Sequence, residues 1–137
     1  MPESPRLIAD GDIHSCRFIK KSGQFTAVQA DADSVPYGIS AEFTRGTPLP
    51  SAATTEFLHA KQGDHITTFL TDQVCLLEAG TSGFTADQFL KPDADGKGEA
   101  AYVGDIAGAI ALETVAPGVK GRVRVLQPGI ESPIAAP

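Results

Sequence analysis

The segment Phe89 to Glu113, FLKPDADGKGEAAYVGDIAGAIALE, reads as a second copy of Phe18 to Glu42, FIKKSGQFTAVQADADSVPYGISAE. Each opens on Phe, an aliphatic residue and Lys: Phe18-Ile19-Lys20 and Phe89-Leu90-Lys91. A polar, Gly-containing turn follows, then an Ala-rich stretch, Ala27-Val28-Gln29-Ala30 in one and Ala100-Ala101-Tyr102-Val103 in the other. Acidic residues come next, and each copy closes on a Gly-led apolar run ending in Glu. The two Phe lie 71 residues apart, while Gly38 and Gly108 lie 70 apart, so one inserted residue reconciles them. Internal self-similarity marks a repeated structural unit, and two similar halves are the expectation.

Outward from these copies the chain reads as short strands. Ile13 to Lys20 alternates, with Ile13, Ser15, Arg17 and Ile19 on one face, a period of two that argues a strand. Ser22-Gly23 turns into Phe25 to Ala30, a hairpin partner. Tyr37 to Thr44 alternates again. Ser51 to Gln62 fits a short capped helix or a strand. Ile66 to Leu70 and Val74 to Glu78, separated by Thr71-Asp72-Gln73, read as a second hairpin. Thr85 can cap a single helical turn. Pro92-Asp93-Ala94-Asp95-Gly96 carries hairpin-turn chemistry. Ile106 to Val115 is apolar on both faces and so central to a sheet. Gly121 to Leu126 puts Val123 and Val125 inward and Arg122 and Arg124 outward. With 14 Gly and 10 Pro punctuating these runs, the expected fold is all-β. It is a small barrel or sandwich of short strands in two similar halves, with at most one or two short helices. Gly38, Gly108 and Ala109 would let strands approach where such a barrel narrows. The expected layout is an N-terminal arm over 1–12, one β-rich domain over 13–126, and a Pro-rich tail over 127–137.

Composition narrows the function classes. The chain has 137 residues, enough to bury a core without metal or disulfide. Its net charge of −6 and lack of a basic stripe argue against nucleic acid as partner, because phosphate neutralisation needs clustered Lys and Arg. Nothing approaches the apolar length of a membrane span, and MPESPRLIADGD lacks the apolar core of a signal peptide. Cys16 and Cys75 have no metal-type spacing and read as buried free thiols, with a single bridge between them as the alternative.

Catalytic signatures are missing. The sequence contains no GxSxG, HExxH or phosphate-binding loop. His14, His59 and His65 are scattered, and the adjacent pair Asp64-His65 would point to opposite faces of a strand. Asp93-Ala94-Asp95-Gly96 resembles a calcium loop only faintly, since its Gly comes one residue early and Glu99 too soon. Asp31, Asp33, Asp87, Asp93 and Asp95 fall in turns, where Asp bonds its own backbone. No enzyme activity, cofactor or metal is expected. Proline-bearing termini cannot pack a core alone and gain order by lying on a neighbour, which favours an assembly protein.

Five pieces carry a resemblance over roughly Asp12 to Val125: Cys16-Arg17-Phe18-Ile19-Lys20, Pro36-Tyr37-Gly38-Ile39-Ser40, Phe84 to Lys91 with Asp95-Gly96-Lys97, Gly108 to Glu113, and Arg122-Val123-Arg124-Val125. In these the chain resembles the small capsid decoration, or cement, proteins of tailed bacteriophages and prophages. It departs at Ala86-Asp87-Gln88-Phe89-Leu90, where the family carries a glycine. The resemblance implies a virion protein on the capsid exterior, assembled in the bacterial host cytoplasm. It would bridge neighbouring major capsid protein subunits as a homotrimer, with many weak contacts adding by multivalency. It also implies contact through the termini, at Pro2, Arg6, Leu7, Ile8, Pro128, Ile130 and Ile134. Two other classes compete: a small-ligand-binding accessory barrel of a bacterial enzyme, and a surface adhesion module.

Overall fold

The structure, a computed structural model, describes residues 7–32, 34–41, 58–60 and 62–133. Among them the chain is all-β, with thirteen short strands and no helix. The strands are β1 (Leu7–Ala9), β2 (Ile13–His14), β3 (Phe18–Lys21), β4 (Thr26–Gln29), β5 (Gly38–Ser40), β6 (Leu58–Ala60), β7 (His65–Ile66) and β8 (Thr68–Phe69). They continue with β9 (Val74–Glu78), β10 (Phe89–Pro92), β11 (Gly98–Ala100), β12 (Ile106–Ala111) and β13 (Lys120–Glu131).

Two sheets hold most of them. The first runs β7-β1-β4-β3-β5-β8. Its first and last members are the two ends of one stretch broken only at Thr67, so the sheet curls into a small, nearly closed barrel. The second runs β11-β10-β12-β13-β9, and a parallel bridge between Ala79 and Gly98 brings its two edges together. Closure removes the free strand edges that otherwise invite unwanted pairing.

The two barrels are copies in register. Phe18 pairs with Ile39 and Ile19 with Gly38; 71 residues later, Phe89 pairs with Ile110 and Leu90 with Ala109. The hairpins agree too, with Ile19 opposite Gln29 and Lys20 opposite Val28 matched by Leu90 opposite Ala100 and Lys91 opposite Glu99. Even the entry turns correspond. Cys16 and Asp87, the same 71 apart, both have left-handed φ values, 58° and 70°. The inserted residue expected from the sequence is therefore not needed. The counterpart of Gly38 is Ala109, and Gly108 answers Tyr37.

Core residues follow the same correspondence. The first interior holds Leu7, Ala9, Ile13, Ile19, Ala27 and Ile66. The second has Leu77, Ala79, Phe84 and Leu90 in the first four places, with Gly98 and Gly121 in the last two. Neighbouring side chains close on both glycines: a Cβ would stand 2.7 Å from Leu77 Cδ2 at Gly98, and 2.6 Å from Val115 Cγ1 and 3.1 Å from the Phe84 ring at Gly121. Phe84 stands where the first barrel has the smaller Ile13, and glycines stand where that barrel has Ala27 and Ile66.

Two expectations change, and an alternative left open is narrowed. Ile66 to Leu70 and Val74 to Glu78 form no hairpin, because β7 and β8 belong to the first sheet and β9 to the second. Thr71-Asp72-Gln73 is the link between barrels. The sheets also begin and end beyond the expected domain limits. Leu7–Ala9 is a strand of the first barrel, pairing with β4 and β7, and β13 continues through Gln127 to Glu131, where Ile106 pairs with Glu131 and Ala107 with Ile130. Apolar alternation in Leu7 and Ala9 outweighs the prolines before them. Finally, the stretch 51–62 contributes strand β6 at Leu58–Ala60; its earlier part lies outside the described residues.

Candidate functional site: the seam between the barrels

The barrels differ where they join. In the first, β1 meets the turn before β4 directly: Ile8 N–H donates to the Phe25 carbonyl at 2.8 Å. The corresponding groups of the second barrel are Glu78 N–H and the Gly96 carbonyl, and they are held apart. Glu78 N–H donates instead to the Cys16 carbonyl at 2.9 Å, and the Gly96 carbonyl accepts from Phe18 N–H at 2.8 Å. Cys16-Arg17-Phe18 of the first barrel thus runs between two edges of the second. No backbone group is left unpaired by the opening, as burial demands.

Arg17 sits at the centre of this insertion and is only 2 % exposed. Its Nη1 donates to the Asp95 carbonyl at 2.9 Å, and its Nη2 lies 3.6 Å from Glu78 Oε2. Lys97 Nζ approaches the same carboxylate at 3.2 Å. Gln29 Nε2 donates to the Asp95 carbonyl as well, at 2.8 Å. Two donors from the first barrel therefore grip one peptide of the second. The gripped turn is stiffened from within, because Asp93 Oδ1 accepts from the N–H groups of Asp95 and Lys97, the local Asp bonding expected in such turns.

Glycine makes the approach close enough. At Gly96 φ is +79°, and a Cβ would stand 3.0 Å from the Ala30 carbonyl oxygen. At Gly108 a Cβ would meet Pro36 Cγ at 2.5 Å and Phe18 Cε1 at 2.6 Å. Phe18, fully buried, lays its ring on that bare backbone and joins Ile39 and Ala30 to the core of the second barrel. Truncating a buried Phe costs about 3–5 kcal/mol, so this contact adds substantially to the Arg17 and backbone bonds that hold the two barrels together.

Cys16 and Cys75 are both buried and unbridged. They line a hollow of about 340 Å³ with Phe69, Val74, Leu76 and Arg122. Burial pushes the Cys75 thiol up to about 12, with Cys16 adding to the effect, so Cys75 stays protonated and acts as a small apolar group.

The other polar groups stay apart. His14 Nδ1 lies 2.9 Å from Gln29 Oε1, whereas His65 is exposed on β7. Asp31 pairs with Lys20 at 3.1 Å; Asp33 lies outside the described residues. Lys91 reaches Asp105 at 3.3 Å and Glu99 at 3.8 Å. The Tyr102 N–H holds the Asp105 carboxyl below its ordinary range, while burial raises that of Glu99. Among the described residues, no three His, Cys, Asp or Glu side chains gather as metal ligands.

Of the expected terminal contacts, Leu7 is 1 % exposed and belongs to the first core, so it is not available to a partner. Ile8 alternates with it and faces out. Pro128 is exposed and Ile130 half-buried on β13; Pro2, Arg6 and Ile134 lie outside the described residues. Sequence reading missed Arg17. Its signal was present as a lone cation on the alternating face of Ile13 and Ile19, since a charge on a core face is buried only when paired.

The arrangement defines a tandem of two like barrels fused by a locked seam. The same fold is found in the head fiber gp8.5 N base of bacteriophage phi29. The two structures superpose with a TM-score of 0.64 over 93 % of this chain and 96 % of that one, at 11 % sequence identity. The sequence matches no protein-family model and no curated protein.

Proposed function

We propose that this chain is a structural protein of a phage virion, attached to the outside of the head and binding the major capsid protein there. The observation that carries this reading is the fold shared, over nearly the whole of both chains, with the base of a phage head fiber. The seam supports it physically. Arg17 and Phe18 lock two barrels into one body, and such a body transmits force between the subunits it touches instead of bending between them. Each chain would bridge neighbouring shell subunits, and copies would assemble as a trimer in the host cytoplasm during head assembly. The role is non-catalytic, and it needs no cofactor, membrane or nucleic acid. Because it favours the expanded shell, binding would stabilise that state by mass action.

Purified chain mixed with expanded heads that lack it should bind saturably and raise their resistance to heat. Deleting residues 1–6 should weaken binding while leaving β1 and the barrel in place. Heads that take up no chain, or that melt unchanged with the chain bound, would refute the role.

A further inference from the structure

Because the barrels are copies, their surfaces can be compared position by position. Glu78 and Gly96 of the second barrel are covered by the first, which passes between them. Their counterparts in the first barrel are Ile8 and Phe25, 36 % and 59 % exposed. The two adjoin, and with their backbone groups already bonded to each other at 2.8 Å this surface can engage a neighbour only through side chains. At both places an apolar residue stands where the covered barrel has a carboxylate or a glycine.

The complementary surface is also present once more. The residues of the first barrel that receive the second are Arg17, Phe18 and Gln29; their counterparts are Gln88, Phe89 and Ala100. Phe89 and Ala100 are half-exposed, whereas Phe18 is fully covered. The two long side chains that grip the Asp95 peptide are shorter here, Gln for Arg and Ala for Gln. Gln88 Oε1 accepts from the Thr85 N–H at 3.0 Å, so neither position reaches for a backbone group as Arg17 and Gln29 do, and what Phe89 and Ala100 leave half-exposed is an apolar surface of the kind Phe25 presents.

We propose that the chain associates head to tail with a second copy of itself, Phe25 and Ile8 of one seated against Phe89 and Ala100 of the next. The contact would set the same two barrel faces against each other between chains, through side chains alone and without the backbone insertion of the internal seam. It uses different surfaces on its two sides, so repetition gives a closed ring or an open filament, never an isolated two-fold dimer. The inference deepens the trimer of the proposed function and rests on that reading only for its place on the head.

The test uses the full chain without shells, by sedimentation across micromolar to millimolar concentrations. Wild type should associate. Phe25→Asp should weaken association at least about ten-fold with its thermal melt unchanged, since the side chain is exposed. A Phe25→Cys chain mixed with an Ala100→Cys chain should cross-link to each other in preference to themselves. A wild type that stays monomeric, a Phe25→Asp chain that associates as wild type does, or cross-links mainly between two Phe25→Cys chains would each overturn the contact. A monomeric chain that still binds heads would sink this contact and leave the virion role standing; an associating chain that ignores heads would do the reverse.

Discussion

Replacing Arg17 by Ala removes the lock from the seam, and its cost can be worked from the geometry. The guanidinium is almost fully enclosed, so water does not enter to replace it without opening the barrels. Breaking a buried ion pair by deleting one partner costs about 3–5 kcal/mol, because the remaining charge is stranded. Here Glu78 keeps Lys97 at 3.2 Å, which places the loss at the lower end. The Asp95 carbonyl likewise keeps Gln29 at 2.8 Å. The expected loss is about 3 kcal/mol, a large share of the roughly 5–15 kcal/mol typical of a domain. For a chain of this size that is a fall in Tm of about 10 °C. Urea unfolding of Arg17→Ala, Glu78→Gln and the double variant measures it. The two substitutions should couple by more than about 1 kcal/mol, since the residues share one network. A loss below about 1 kcal/mol for Arg17→Ala would show that the seam is held by Phe18 packing and that the arginine is incidental; additive effects in the double variant would show that Arg17 acts through the Asp95 carbonyl and not through Glu78.

Gly108→Ala drives a methyl into Pro36 and Phe18 and should cost about 1–3 kcal/mol as overpacking, read by the same urea titration; a neutral result would mean that the barrels are loosely apposed. Asp87 has φ +70° with its side chain exposed, so Asp87→Gly should keep stability, whereas Asp87→Val should lose about 1–2 kcal/mol. Equal melts for the two variants would remove the strain argument at that turn. Asp105 gives a pH signature. Its carboxyl is held below the ordinary range, first by the Tyr102 N–H and then by Lys91. Its stabilising contribution is therefore present above the ordinary Asp value and fades as pH falls through the lowered one. Asp105→Asn should melt below wild type at neutral pH, with the gap closing in acid; a gap that persists unchanged into acid would contradict the assignment.

Much of this architecture could be read from residues, and the misses have identifiable causes. The duplicated segments were legible because the Phe-aliphatic-Lys opening and the Ala-rich return strand occupy the same places in each half. The outer parts of each repeat were not. Leu7-Ile8-Ala9 matches Leu77-Glu78-Ala79 only in its Leu and Ala, too short a likeness to stand out, and the closing strands hide their kinship because Gly121 stands where the first barrel has Ile66. Alternation in Gly121 to Leu126 gave the correct inward and outward faces. It could not tell that Val74 to Glu78 pairs with β13 instead of with the preceding run, since short strands carry no label for their partner. The seam was the least visible part. It depends on Cys16 to Phe18 leaving the barrel that surrounds them, and only the unexplained arginine on an apolar face pointed there.

One difference between the halves has a practical use. Ile13 bridges Ala60 in the first barrel, as Phe84 bridges Val115 in the second. Between Ala41 and Ala60 the first copy spends eighteen residues, whereas between Leu112 and Val115 the second spends only Glu113 and Thr114. One frame thus accommodates both lengths, and the entropic cost of the longer connection is only about 2 kcal/mol. The short connection is therefore a natural splice point. A foreign peptide of similar length inserted after Glu113 should be carried without disturbing either interior, which would make the chain a platform for displaying cargo.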